Sequence, residues 1–303
     1  MDVICGFTAD CLAIDEMGDD TIACIGGNGD KAVVSLFSVG SGGSSTHLRG
    51  HEGQVCAVAV QGDVVASSSR DKTIRLWSRA NGSCTAILKC DEQAYGLSLA
   101  GGQLLSGEGG QKGAKARLWS VSTGRLVAVY EGHLAPIWSV TLASDLAVTG
   151  SSDKSARAWR LGTCKDPFIG SMVHPAAVYS VDMPTNDADI LATGCGDGQV
   201  RLWALANLAC LRTLEHGGGF STNAFLNAPV YAVRIYGGIL ISGGQDKTLQ
   251  IWDLSKFGQS AIIATLPHGA NVIGLAVSRH GMVVSASSKK LCVWAPHNTS
   301  SAS

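Results

Sequence analysis

The 303-residue sequence has no stretch near eighteen consecutive apolar residues, so no transmembrane helix is expected. It also lacks a strong charge of either sign. Net charge is −1, only 16% of residues are charged and the 23 basic ones are scattered, so neither nucleic acid nor a membrane is expected as a partner. The segment Met1 to Phe7 has no basic run and no long apolar core, which argues against a secretory signal. The ten cysteines contain no C-x-x-C pair, which removes the usual redox and zinc motifs. Without a secretion signal they are read as reduced thiols of a cytoplasmic protein, with the nucleus as the alternative. The eight histidines show no metal-ligand spacing, and the glycine-rich segment 107–113 lacks the G-x-x-x-x-G-K-[ST] phosphate pattern. No cofactor and no metal are expected.

What the sequence does have is a ladder of tryptophans. Leu76-Trp77, Leu118-Trp119, Ala158-Trp159, Leu202-Trp203, Ile251-Trp252 and Val293-Trp294 each close a short apolar run, at intervals of 42, 40, 44, 49 and 42 residues. Phe37 lies 40 residues before the first. A period of this length marks one supersecondary unit that cannot bury its apolar faces alone and stacks on copies of itself. The array runs without a long gap, so residues 1–303 are read as one domain. The 38 glycines supply the frequent turns that such a chain needs.

The second unit shows the internal plan. Gly50-His51 precedes an apolar run from Val55 to Val60, and Gln61-Gly62 turns the chain into a second run from Val64 to Ser69. After Arg70-Asp71-Lys72 comes Thr73 to Trp77, and after Asn81-Gly82 comes Cys84 to Leu88. Four short strands joined by tight turns follow, with no helical period.

Certain polar residues keep step with the tryptophans. A histidine stands 26 residues before tryptophan in His51/Trp77, His133/Trp159 and His268/Trp294. An aspartate stands six before it at Asp71, Asp153, Asp197 and Asp246, and a hydroxyl four before each aspartate, at Ser67, Thr149, Thr193 and Ser242. The third unit has Cys90 at the histidine position and no aspartate. This Gly-His to Trp-Asp pattern resembles the WD-repeat family over essentially the whole chain. The resemblance implies an all-β, seven-bladed propeller of four-stranded antiparallel blades around a channel. The seventh unit ends after three strands, so residues 2–7 are expected to supply its fourth and close the ring.

Histidine, hydroxyl and aspartate together suggest a nucleophilic triad. Repetition argues otherwise, because an enzyme needs one such site. The resemblance implies structural tetrads instead: His51/Ser67/Asp71/Trp77, His133/Thr149/Asp153/Trp159, His174/Thr193/Asp197/Trp203 and His216/Ser242/Asp246/Trp252. Buried polar groups must be paired, and a linked network fixes loop against strand. Arg75, Arg117, Arg157 and Arg201 recur two residues before their tryptophans and are read as blade-surface residues whose stems cover apolar area.

Departures from the repeat indicate where a partner docks. Turns 107–115 and 217–229, the latter carrying Phe220 and Phe225, are the irregular ones, and both fall on the same (top) face. The second position of each innermost strand, which the resemblance places at the channel mouth, holds Tyr95, Trp138, Tyr179 and Tyr231 in four consecutive units, with Arg70 on a neighbouring turn. Aromatic rings with one arginine suit a binding hot spot. The expected function is a non-enzymatic, monomeric scaffold that docks a protein or peptide on this face, within a multiprotein complex. The alternative is the substrate-recognition subunit of a cullin-type ubiquitin ligase. Against it stand the lack of a helical F-box segment before the first repeat and of a W-D-x-R ending, since Trp252-Asp253-Leu254-Ser255 has no arginine.

Overall fold

The computed structural model of the chain describes residues 2–4, 12–14, 21–25, 32–38, 45–110, 113–143, 145–162, 166–184, 189–217, 228–256, 261–278, 280–287 and 290–294. Among them are twenty-eight strands in seven four-stranded antiparallel sheets, and no α-helix. Blade two is representative. From the channel outward it consists of β6 (Val55–Gln61), β7 (Val64–Ser69), β8 (Thr73–Ser78) and β9 (Cys84–Lys89). Burial follows position. Five of the six residues of β7 are buried, because both its neighbours and both its faces are covered, whereas β9 is mostly exposed.

The ring closes as the repeat count requires. β1 (Asp2–Ile4) pairs antiparallel with β28 (Leu291–Trp294), matching Asp2 to Val293, Val3 to Cys292 and Ile4 to Leu291. Residues 5–7, expected to extend that strand, lie outside the described residues. The join spares blade seven an open edge, which would template further strand addition.

The core is not central but divided among the blade interfaces. Each interface has its own apolar cluster: Trp77 packs with Ile25, Val34 and Leu36 of blade one, and Trp159 with Leu105, Leu118 and Tyr130 of blade three. Ile22, Cys24 and Phe37 of blade one meet Val284, Leu291 and Val293 of blade seven, so the last interface is built like the others. A buried indole removes on the order of 200 Å² from water, worth roughly 5 kcal/mol before entropy is counted. The six tryptophans of the ladder are thus the anchors of six interfaces, and Phe37 takes that place at the seventh.

Close packing of neighbouring blades sets a glycine after the hydroxyl in blades three to six, whereas blade two has the buried Ser68 there. A Cβ at Gly150 would lie 2.9 Å from both Val178 and Val181, and one at Gly243 would lie 2.5 Å from Val272. Gly107 has the same surroundings, facing Ile137 and Val140. It belongs to β11 (Gln103–Gly109), paired with β12 (Ala114–Ser120), so most of segment 107–115 is strand and not the irregular turn expected from its glycines.

Candidate functional site

In blades two and four the recurring polar residues form one directional network. Trp77 Nε1 donates to Ser67 Oγ at 2.8 Å, Ser67 meets His51 Nε2 at 2.8 Å, and His51 Nδ1 meets Asp71 Oδ2 at 2.8 Å. Blade four repeats it with 3.0, 2.7 and 2.7 Å between Trp159, Thr149, His133 and Asp153. Donors and acceptors fit one assignment: the hydroxyl gives its proton to a neutral histidine, whose Nδ1–H faces the carboxylate. Burial pushes the His51 pKa below its ordinary value despite Asp71. Burial alone would raise the Asp71 pKa, but hydrogen bonds from Thr73 and His51 hold it at about 2. Blade six makes the same links with the imidazole turned round, Nδ1 to Ser242 at 2.8 Å and Nε2 to Asp246 at 3.0 Å, and Trp252 to Ser242 at 2.9 Å. Ser67, Thr149 and Ser242 are wholly buried, so none of these hydroxyls can meet a substrate.

Blade five departs from the expected tetrad. His174 Nε2 and Trp203 reach Thr193 at 2.9 and 3.0 Å, but His174 Nδ1 faces the Met172 carbonyl at 3.0 Å. Asp197 instead pairs with Arg201 at 2.7 Å. Burial, with Arg201 near by, pushes the His174 pKa down to about 4. Blade three, which has no histidine or aspartate at the recurring positions, keeps Trp119 on Ser106 at 3.0 Å and buries Glu108 against Arg117, whose other nitrogen reaches Asp91 at 2.5 Å. Burial opposes the Arg117 charge, but the two carboxylates outweigh it and raise its pKa.

The arginines therefore divide into two kinds, and only one agrees with a surface role. Arg117 and Arg201 are buried and ion-paired. Arg75 and Arg157 are half-buried, lying over Gly50 and Gly132 and stacking on Trp77 at 5.9 Å and Phe168 at 5.7 Å. The residue before the histidine position decides which. Glycine there, at φ 150° and 131°, leaves the guanidinium room, and a Cβ on Gly50 would lie 2.8 Å from Arg75 Nη1. Blades three and five have Lys89 and Val173 instead. Their arginines turn inward, and in blade five this takes the carboxylate from the histidine.

The channel mouth is shaped by a repeated irregularity. In blades two to six the pairing of the two innermost strands slips at Cys56, Tyr95, Trp138, Tyr179 and Tyr231. A β-bulge leaves its extra residue unpaired and re-aims the side chain. All five line a cavity of about 520 Å³ with Gln54, Arg70 and Arg234. The four aromatic rings are half-buried and form a continuous arc, with centroids 4.8 Å apart for Tyr95–Trp138, 6.4 Å for Trp138–Tyr179 and 5.4 Å for Tyr179–Tyr231. Trp138 Nε1 donates to Ser152 Oγ at 2.5 Å and Tyr95 Oη to Gln93 Oε1 at 3.1 Å, which orients both rings.

These features meet a named family pattern. "WD domain, G-beta repeat" matches residues 42–78, 124–160, 167–204 and 209–253, just over half of the sequence. The chain belongs to the WD-repeat family. Propellers of this family generally act as protein-interaction scaffolds and are typically non-catalytic. The WD-repeat chain is 29% identical over 185 residues to the DENN domain and WD repeat-containing protein SCD1 of Arabidopsis thaliana, covering 58% of this chain and 15% of that protein. It is 29% identical over 180 residues to Autophagy-related protein 16 of the same plant, covering 56% and 35%. It is 31% identical over 137 residues to the COMPASS component SWD3 of Saccharomyces cerevisiae, covering 42% and 41%. The chain spans less than half the length of each of these relatives.

The structure thus brings together Arg70, Tyr95, Trp138, Tyr179 and Tyr231 at one opening. Phe220 and Phe225 lie outside the described residues. Arg234 also lines the channel and was not legible in the sequence. It stands at the fifth position of its inner strand, next to Asp182 at the same position in blade five, 3.6 Å away. Alternation beyond the bulge was the signal that could have found it. Among the described residues no group of histidine, cysteine, aspartate and glutamate converges as a metal site.

Proposed function

We propose that this WD-repeat chain is a non-enzymatic scaffold that docks an extended segment of a protein partner across the top mouth of its channel. The arc of four touching aromatic rings supports this reading. Half-buried rings on a rigid scaffold offer large contact area at little entropic cost, as binding hot spots do. The tetrad hydroxyls are sealed and saturated, so the recurring histidines and aspartates serve architecture. The propeller acts as a monomer in the cytoplasm, or in the nucleus, as one member of a larger complex.

The test compares tagged wild-type protein with a variant carrying Tyr95, Trp138, Tyr179 and Tyr231 as alanine. Proteins recovered from cells are quantified after thermal denaturation has shown that the variant folds. The reading requires at least one abundant partner to drop tenfold or more. An unchanged partner set on a folded variant overturns it. A cullin adaptor among the wild-type partners would move the assignment to a ubiquitin-ligase receptor.

A further inference from the structure

Charge at the mouth is one-sided. Among the described residues lining the cavity the charged side chains are Arg70 and Arg234, and none is a carboxylate. Arg234 is committed, with Asp182 at 3.6 Å and the Val233 carbonyl at 2.8 Å. Arg70 is exposed, and no described residue bonds its guanidinium, although its backbone N–H is held by Gln54. The acids on the adjoining loops of blades two and three are largely engaged: Glu92 meets Lys72 at 3.1 Å and Asp91 meets Arg117 at 2.5 Å, while Glu52 stays exposed. Farther round the same face, Lys154 and Lys247 are exposed in their turns, and the aspartates beside them are held by His133 and His216.

From this geometry we infer that the docked segment is acidic: an aspartate or glutamate side chain seats on Arg70, and the apolar residues beside it lie along the aromatic arc. The inference rests on the docking reading above and adds the partner's chemistry. The three centroid steps trace about 17 Å from Tyr95 to Tyr231, the length of about five residues of extended chain. Arg70 stands next to the Tyr95 end, in blade two, so the acid lies at one end of the apolar stretch. A planar guanidinium grips a carboxylate through two parallel hydrogen bonds. With Arg70 the one unpaired cation among the described residues of the mouth, a singly charged carboxylate is matched, whereas a phosphate dianion would leave charge uncompensated.

The full chain is panned against a random dodecapeptide display library, alongside Arg70→Glu, Arg70→Lys and the four-alanine variant. Wild type is expected to enrich aspartate and glutamate at least threefold, within two residues of a run of apolar or aromatic residues. Arg70→Glu should lose that enrichment, favour lysine and arginine, and keep the apolar run; Arg70→Lys should keep part of the acid preference. For the best acidic peptide, replacing its acid by the amide should weaken binding about tenfold in wild type and less than twofold in Arg70→Glu. Equal binding of acid and amide peptides overturns the inference. So does a phosphoserine peptide that binds more than tenfold tighter than its glutamate counterpart. If selection depends on the aromatic rings but ignores Arg70, the docking reading stands and the charge inference fails. If it ignores both, both fail.

Discussion

Replacing Thr149 by valine tests the blade network most directly. Valine keeps the shape and removes only the hydroxyl, which in the native blade accepts from Trp159 Nε1 at 3.0 Å and meets His133 Nε2 at 2.7 Å. Thr149 is wholly buried and His133 nearly so, and water has no route to replace either bond. Each orphaned buried group costs about 1–3 kcal/mol, so the substitution should destabilise the protein by about 3 kcal/mol. Thr149→Ser keeps the hydroxyl and loses one buried methyl, at a cost of about 1 kcal/mol. For a chain of this size 1 kcal/mol moves the thermal midpoint by about 1.5 °C, so the valine variant should melt about 5 °C below wild type and the serine variant about 1.5 °C below. Urea unfolding followed by tryptophan fluorescence gives the same comparison in free energy. The reasoning is refuted if valine costs no more than serine.

The pH dependence of stability has a component from His174. Its folded pKa of about 4 lies below the ordinary 6.5, so the folded state binds fewer protons in that interval. Stability is full above pH 6.5 and falls by about 3 kcal/mol as pH drops to 4; urea midpoints across that range should show the slope, and His174→Gln should flatten it. Asp71, held at about 2, adds a second loss only below pH 3.8. Val173→Gly should open the space that Gly50 and Gly132 provide in blades two and four. Arg201 should then swing over residue 173 and release Asp197 to His174. Imidazole titration by NMR should show the His174 pKa rising by at least one unit, and an unchanged value would disprove the steric account.

The ring itself was readable because its causes are periodic and local. Trp77, Trp119, Trp159, Trp203, Trp252 and Trp294 recur because each blade interface needs one large anchor, and tight turns between short apolar runs leave no other secondary structure open. The partners of His51 and His133 were readable for the same reason: hydroxyl, histidine and aspartate stand at constant offsets in a constant backbone. The count of strands in the last unit also called for one more, and β1 supplies it.

Other features depended on neighbours that no spacing reveals. Asp197 has the offset of Asp71, yet it pairs with Arg201 because Val173 occupies the space that glycine leaves open beside Arg75. Glu108 looked like part of a glycine-rich turn and is a buried strand residue balanced by Arg117, because Gly107 must pack under Ile137 and Val140. The mouth residues could be named from the sequence, but what aims them is a bulge between paired strands, a property of two strands together. Repetition along the chain therefore determined the number of blades and their anchors. Which polar groups pair, and which stay free to meet a partner, was decided only by the space each blade leaves to the next.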